Sequence, residues 1–271
     1  MPRDLRIWLG GGFILFLIVV AIFAPLLAPF DPLEQDLMAA TAAPGVEPGH
    51  WLGTDSLGRD VLSRLIYGTR IALTVAFVAA TLACLLGTTL GLLAGYYRGW
   101  VDAGVSRLVD IWMAFPPVLL SILLVAVLGA GLTSVIIAIV VIDWTRFARV
   151  VRAETLQQAR LEYAEAASAL GMGRGAILLR EVLPNVLPVV LVLLSLEMGI
   201  AVIVEAILSF VGLSVSTDAP TWGGMIAEGR QIIYQAWWVL VFPLASLFLT
   251  VLAFNQLGDG LRQWLDPMLK R

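Results

Sequence analysis

The sequence is poor in the residues that most enzymes use. Its 271 residues hold one cysteine (Cys84), one histidine (His50) and one lysine (Lys270). A single cysteine excludes an intrachain disulfide and a thiolate cluster. A single histidine excludes a zinc site of the multi-histidine kind. The lone lysine is followed by Arg271, so no Gly-Lys-Ser/Thr phosphate loop can be written and the chain is no P-loop ATPase. Charge is scarce as well: Asp, Glu, Lys and Arg make up 14%, against about 25% in ordinary soluble domains. The formal net charge of -3 leaves no broad basic field for nucleic acid or anionic lipid.

What is abundant is apolar surface. Hydrophobic residues reach 60% and the mean hydropathy is +0.93. The polar residues left are too few to cover a soluble particle of this size, which excludes a soluble enzyme and a disordered chain. The class that remains is a polytopic, all-α membrane protein.

Six apolar runs are long enough to span a bilayer as helices: 7–28, 71–95, 108–128, 132–151, 186–211 and 236–257. The turn Gly129-Ala130-Gly131 separates the third from the fourth, and Pro116-Pro117 predicts a kink near the start of the third. The first run is longer than a signal-peptide core and reads as a retained anchor. Arginine placement sets the orientation. With both termini inside, 13 of the 17 basic residues fall in cytoplasmic segments, and Arg59, Arg64, Arg70 and Arg230 fall outside. The expected organisation is an anchor helix plus outer segment over 1–70, then a five-helix core over 71–271 with a cytoplasmic loop at 150–185. No internal repeat and no paired half-helices are visible, which speaks against an inverted-repeat transporter.

The cytoplasmic loop carries the most pattern. In 162–185, EYAEAASALGMGRGAILLREVLPN, residues Tyr163, Ala166, Ala167 and Leu170 share one helix face at i, i+3, i+4 and i+7, flanked by Glu162 and Glu165. Gly171 and Gly173 break that helix. A second short helix is predicted from Arg174, with Pro184 stopping it. The product is a helix-turn-helix elbow with a small-residue tip. A solvated amphipathic connector is the plain alternative. The GMGRG run at 171–175 lacks a preceding strand and belongs to the turn, not to a nucleotide site.

The order of residues here resembles the coupling loop of ABC importer permeases: Glu-Ala-Ala, three residues, Gly, nine residues, then a segment closing on Leu-Pro. Glu165-Ala166-Ala167, Gly171 and Glu181-Val182-Leu183-Pro184 occupy those places. WLGTDSLGRDVLSRLIYGTR (51–70), GYYRGWVD (95–102), RLVDIWMAFP (107–116), EAILSFVGL (205–213), WGGMI (222–226) and NQLGDGLRQWLDP (255–267) are similar to the C-type permease of dipeptide, oligopeptide and nickel importers. VSTDAPTWG (215–223) departs from that family's richer Gly/Pro run. The resemblance implies a type I importer permease fold in the bacterial inner membrane. It implies docking of the elbow on ATPase subunits through Glu162, Glu165, Ala166, Ala167, Gly171, Leu183 and Pro184. The implied partners are a second permease, one or two cytoplasmic ATPases and an extracytoplasmic binding protein, with ATP and Mg on the ATPases and no cofactor in this chain. Peptides are the expected cargo; nickel or other metal chelates and glutathione-like peptides are the alternatives.

Other residues invite a role. Gly53, Asp55, Gly58, Arg59 and Asp60 belong either to a helix lying on the membrane face, anchored by Trp51 and Tyr67, or to a docking or gate element for a binding protein. Asp55 is suited to an N-cap-like turn. Glu197 and Glu205 lie within the fifth run, where a carboxylate lines a path or bonds a neighbouring helix. Asp110 and Asp143 are expected to pair with Arg107 or Arg146. His50, alone, reads as structural. A stand-alone secondary transporter would need a coupling-ion site that the runs do not offer, and an intramembrane enzyme would need a nucleophile with a base.

Overall fold

The computed structural model describes residues 3–214 and 219–265. Lys270 and Arg271, counted above as cytoplasmic cations, and the departing residues 215–218 lie outside that description. Among the described residues the fold is helical throughout, with one isolated bridge between Thr54 and Asp60.

The first helix, α1 (Arg3–Ile22), continues through the short α2 (Ala24–Leu27) into the segment expected outside, called the outer segment below, which carries a single 3-10 turn at Leu37–Ala39. The second span, α3 (Val61–Tyr97), starts ten residues before the expected 71 and runs through residue 70 without a break. Asp60 begins it by accepting a bond from the Ser63 amide at 2.7 Å. The expectation of a separate helix on the membrane face is therefore corrected. Residues 51–60 are turns, and Tyr67 belongs to the span.

The third expected run is not one helix. α4 (Gly99–Met113) and α5 (Pro117–Leu128) meet at 87°. Pro116 biases Phe115 away from helical angles, and neither proline offers an amide to carry the ladder across. At about 1.5 Å per residue α5 alone rises only about 18 Å, short of a bilayer core. The Gly129–Gly131 turn does separate α5 from α6 (Leu132–Gln158).

The elbow follows as α7 (Glu162–Ala169) and α8 (Arg174–Ile177). Pro184 does not stop the second of these. A π-turn over Leu178–Val182 joins α8 to α9 (Leu183–Phe210), so helix runs from Arg174 to Phe210. The Leu183 amide reaches back five residues to the Leu178 carbonyl, and this wider turn lets the chain pass a proline that has no amide to give. The last helices are α10 (Trp222–Gln231) and α11 (Trp238–Leu265).

Among the described residues four stretches are long and apolar enough to cross a bilayer: Leu5–Ile22, Val61–Tyr97, Arg174–Phe210 and Trp238–Leu265. The bent α4–α5 pair makes a fifth if it counts as one span. α6 fails on composition because Asp143, Arg146, Arg149 and Arg152 interrupt it, yet it packs lengthwise on α3. Gly87, Gly91 and Gly95 form the contact stripe on α3. A Cβ on Gly91 would lie 2.7 Å from the Ala148 carbonyl, and one on Gly95 2.7 Å from that of Arg152. Only glycine lets the two backbones approach so closely. α11 packs on α1 and α9, with the Ser195 hydroxyl donating to the Phe254 carbonyl at 2.7 Å.

Candidate functional sites

The elbow is built from its own capping chemistry. Gly171 takes φ +81°, where a side chain is strained, and ends α7. The Met172 amide then bonds the Ala167 carbonyl at 3.1 Å and the Gly171 amide bonds Ser168 at 3.0 Å, a Schellman closure. The predicted face splits in two. Ala167 is buried with Ala164, in one core with Leu92 of α3, Phe147 and Val151 of α6, and Ile177 and Val182 beyond the turn. It is not on the surface, because the second arm of the elbow folds back over it. Glu162, Glu165, Ala166, Leu170 and Gly171 are exposed, Leu170 to 85%. Leu183 is half-buried and Pro184 exposed. Tyr163 donates to Gln158 at 2.8 Å and so ties α7 to the end of α6, and burial pushes its phenol above the usual range.

The outer segment forms a closed ionic clamp. Asp55 is fully buried. Its Oδ1 accepts the Leu57 and Arg59 amides at 2.8 and 3.0 Å, the turn expected of it. Its Oδ2 accepts Arg59 Nε at 2.7 Å and a second bond from Arg64 Nη1. Glu228 on α10 completes the cluster, accepting Arg59 Nη2 at 2.9 Å and Arg64 at 2.7 and 3.1 Å. Gly53 and Gly58 both have positive φ, and Gly58 lies against the Asp36 backbone. Asp60, besides capping α3, meets His50 Nδ1 at 3.0 Å, and His50 stacks on Phe30 at 4.3 Å. Gly53, Asp55, Gly58, Arg59 and Asp60 are thus all buried, and a docking surface made of them is corrected to an internal brace. Glu228 was not legible as a partner. The signal in the sequence was that Arg59 and Arg64, cations in a segment expected outside, required carboxylates.

The two intramembrane glutamates differ. Glu205, 1% exposed, accepts the Ser209 and Ser214 hydroxyls at 2.7 and 3.0 Å and so fastens the end of α9 to the turn beyond it. Both bonds are made within this chain. Glu197 binds Arg146 Nη1 through both oxygens, at 3.1 and 3.2 Å. Asp143 is buried three residues before Arg146, and Asp110 pairs with Arg149 at 3.6 Å rather than with Arg107. A groove of about 790 Å³ runs between α6, α9 and α11 at the elbow end of the bundle. Among the described residues no cluster of His, Cys, Asp and Glu could hold a metal ion.

The described residues thus form a bundle of long apolar helices that presents an exposed, capped elbow. Residues 87–271 match the family described as binding-protein-dependent transport system inner membrane component, and the chain belongs to it. Residues 7–44 match the N-terminal TM domain of oligopeptide transport permease C. The chain is therefore a permease subunit of an ABC importer, a multi-pass protein of the bacterial inner membrane.

Two relatives locate it further. It is 44% identical to the glutathione transport system permease protein GsiD of Pectobacterium atrosepticum, over 96% of this chain and 86% of the relative. It is also 44% identical to the dipeptide transport system permease protein DppC of Alkalihalophilus pseudofirmus, over 93% and 83%. In fold it is similar to the inward-facing MetNI methionine ABC transporter, with a TM-score of 0.62 and 22% identity over 76% of this chain and 97% of the other. An amino acid ABC transporter gives 0.59 and 18% over 75% and 95%.

Proposed function

We propose that this chain is the C-type permease of a peptide importer, carrying dipeptides, oligopeptides or a glutathione-like peptide along a path formed with a second permease. The observation that carries this is its 44% identity, along nearly its full length, to permeases named for dipeptide and for glutathione transport. Nickel and other metal chelates are the cargo alternative. Both termini and the loop 150–185 are cytoplasmic in this reading, and the outer segment faces an extracytoplasmic binding protein. One or two ATPase subunits hold the ATP and Mg, and this chain holds no cofactor.

The elbow supports a mechanical role. Glu162, Glu165, Ala166 and Leu170 are free to enter a groove on an ATPase, while Ala167 behind them shares a core with α3, α6 and the root of α9. Close-packed cores transmit displacement rather than absorb it. Movement of the ATPases would therefore carry the elbow and three helices as one body, switching access between two states. The test is uptake of labelled dialanine and of glutathione into liposomes holding the complete transporter, its binding protein and ATP. ATP-dependent uptake of either is expected; uptake of neither, with metal chelates accumulating instead, would overturn the peptide assignment.

A further inference from the structure

The break between α4 and α5 leaves backbone groups unpaired. The donors that the Trp112 and Met113 carbonyls would meet in a continuous helix belong to Pro116 and Pro117, which have no amide. Trp112 is served instead by the Phe115 amide, three residues on, at 3.3 Å. The carbonyls of Met113, Ala114 and Phe115 accept no hydrogen bond among the described residues. The next paired carbonyl is that of Pro116, which takes the Leu120 amide at 3.0 Å. The break is also open: Ala114, Phe115, Pro116 and Pro117 are all exposed, Phe115 to 55%.

Its neighbours fix its level in the bundle. The Trp112 ring meets that of Trp144 on α6 at 6.4 Å, and Gly87 of α3 packs on the Trp144 carbonyl. At about 1.5 Å per residue, Trp144 stands about 18 Å from the outer end of α6 and Gly87 about 15 Å from the inner end of α3. The break therefore lies near the middle of a bilayer core about 30 Å thick. Carbonyls at that depth are tolerated only against protein or a water-filled cavity, because hydrocarbon offers no donor. A second observation favours water. Ala114 follows Asp110 by four residues and stands over it on one face of the chain. Asp110 and Arg149, 3.6 Å apart, keep side-chain exposures of 64% and 55%. A charged pair so open in a membrane bundle belongs beside water. The exposed face that carries the break is therefore a wet one.

We propose that the break at 113–117 lines the water-filled translocation path, and that the carbonyls of Met113, Ala114 and Phe115 accept hydrogen bonds from the N–H groups of the peptide cargo. This rests on the peptide-importer reading. Carbonyl acceptors suit such a cargo, because a peptide carries N–H donors on its backbone whatever its side chains are. Water satisfies the same carbonyls before the cargo arrives and after it leaves, so passage strands no polar group. The carbonyl end of α4 is also the negative end of its dipole, which favours the ammonium terminus of a peptide.

The test uses the complete transporter in lipid nanodiscs, where both membrane faces meet solvent. In a Cys84→Ser background, Ala114→Cys reports on the break, and Phe16→Cys, 58% exposed on the unbroken α1, is the comparison. A thiol in apolar surroundings stays protonated and unreactive. A charged methanethiosulfonate is expected to modify position 114 at least about tenfold faster than position 16, the effect of one unit in thiol ionisation. Dialanine or S-methylglutathione, about tenfold above its Kd, should slow the reaction at 114 by about tenfold and leave position 16 unchanged. Pro117→Ala returns an amide to the Met113 carbonyl and should lower ATP-driven peptide uptake in liposomes by about tenfold, the worth of one such bond, with the complex still assembled. Equal rates at the two positions would put lipid or the second permease over the break and overturn the proposal. So would a fast reaction that neither peptide slows, or parent-level uptake in Pro117→Ala. If Pro117→Ala fails to assemble, the two cysteine reporters still decide. Uptake by the Cys84→Ser parent separates the two failures: peptide uptake with an unreactive position 114 sinks only this site, and uptake of neither peptide sinks the peptide reading.

Discussion

Glu228 holds Arg64 with both carboxylate oxygens, at 2.7 and 3.1 Å, across 164 residues of chain. The contact joins α10 to the first turn of α3, with Asp55 and Arg59 closing the cluster around it. The outer segment is therefore braced from within, and its fold depends on charges that are expensive to strand.

Removing Glu228 should show this. Glu228→Ala leaves Arg59 and Arg64 short of a carboxylate, and both are almost fully buried. Breaking a buried pair from one side costs about 3–5 kcal/mol. Glu228 is one-third exposed, so the expected loss lies near the lower end of that range. Thermal unfolding of the purified subunit complex should shift down accordingly, and Glu228→Asp should recover part of it. An unchanged transition would mean that the clamp contributes nothing.

At the elbow, Gly171→Asp separates coupling from folding. No atom lies within 4 Å of a Cβ built there, so the cost to the fold is only that of positive φ, about 1 kcal/mol. The variant should insert and pair with the second permease. It should lose the ATPase on co-purification, or retain it without substrate-stimulated ATP turnover. Normal co-purification with normal stimulated turnover would remove the tip from the mechanism.

The α3–α6 stripe predicts a contrast between two glycines. Gly91→Ala places a Cβ 2.7 Å from a backbone carbonyl and 2.9 Å from Val151 Cβ, whereas Gly12→Ala on α1 meets nothing within 4 Å. Overpacking of this kind costs about 1–3 kcal/mol. Gly91→Ala should lower the melting temperature and the yield of assembled complex, with Gly12→Ala close to the parent. Equal melting of the two would show that α3 and α6 can separate freely.

Orientation is checked with single cysteines in a Cys84→Ser background. Met38 is 94% exposed in the outer segment and Ser168 is exposed on α7. An impermeant thiol reagent on cells with a permeable outer layer and an intact inner membrane should label Met38→Cys and spare Ser168→Cys. The opposite pattern would invert the assignment of the elbow to the cytoplasm.

The class of protein followed from composition, and four of the six apolar runs, 7–28, 71–95, 186–211 and 236–257, coincide with helices long and apolar enough to cross a bilayer, because a bilayer demands about 20 apolar residues per helix whatever the partners are. The elbow's break was legible at Gly171, because positive φ is a local requirement that glycine meets locally. Three things were decided only by tertiary structure. Pro184 looked like a stop, yet the π-turn at Leu178–Val182 carries the helix past it, a choice made by packing and not by the proline. Ala166 and Ala167 are chemically the same, but the fold-back of the second arm buries one and leaves the other exposed. Arg64 and Glu228 carry no mark of one another in sequence, since a long-range ion pair has no period and no fixed spacing. Their meeting, like that of Arg146 with Glu197, exists only once the helices are packed.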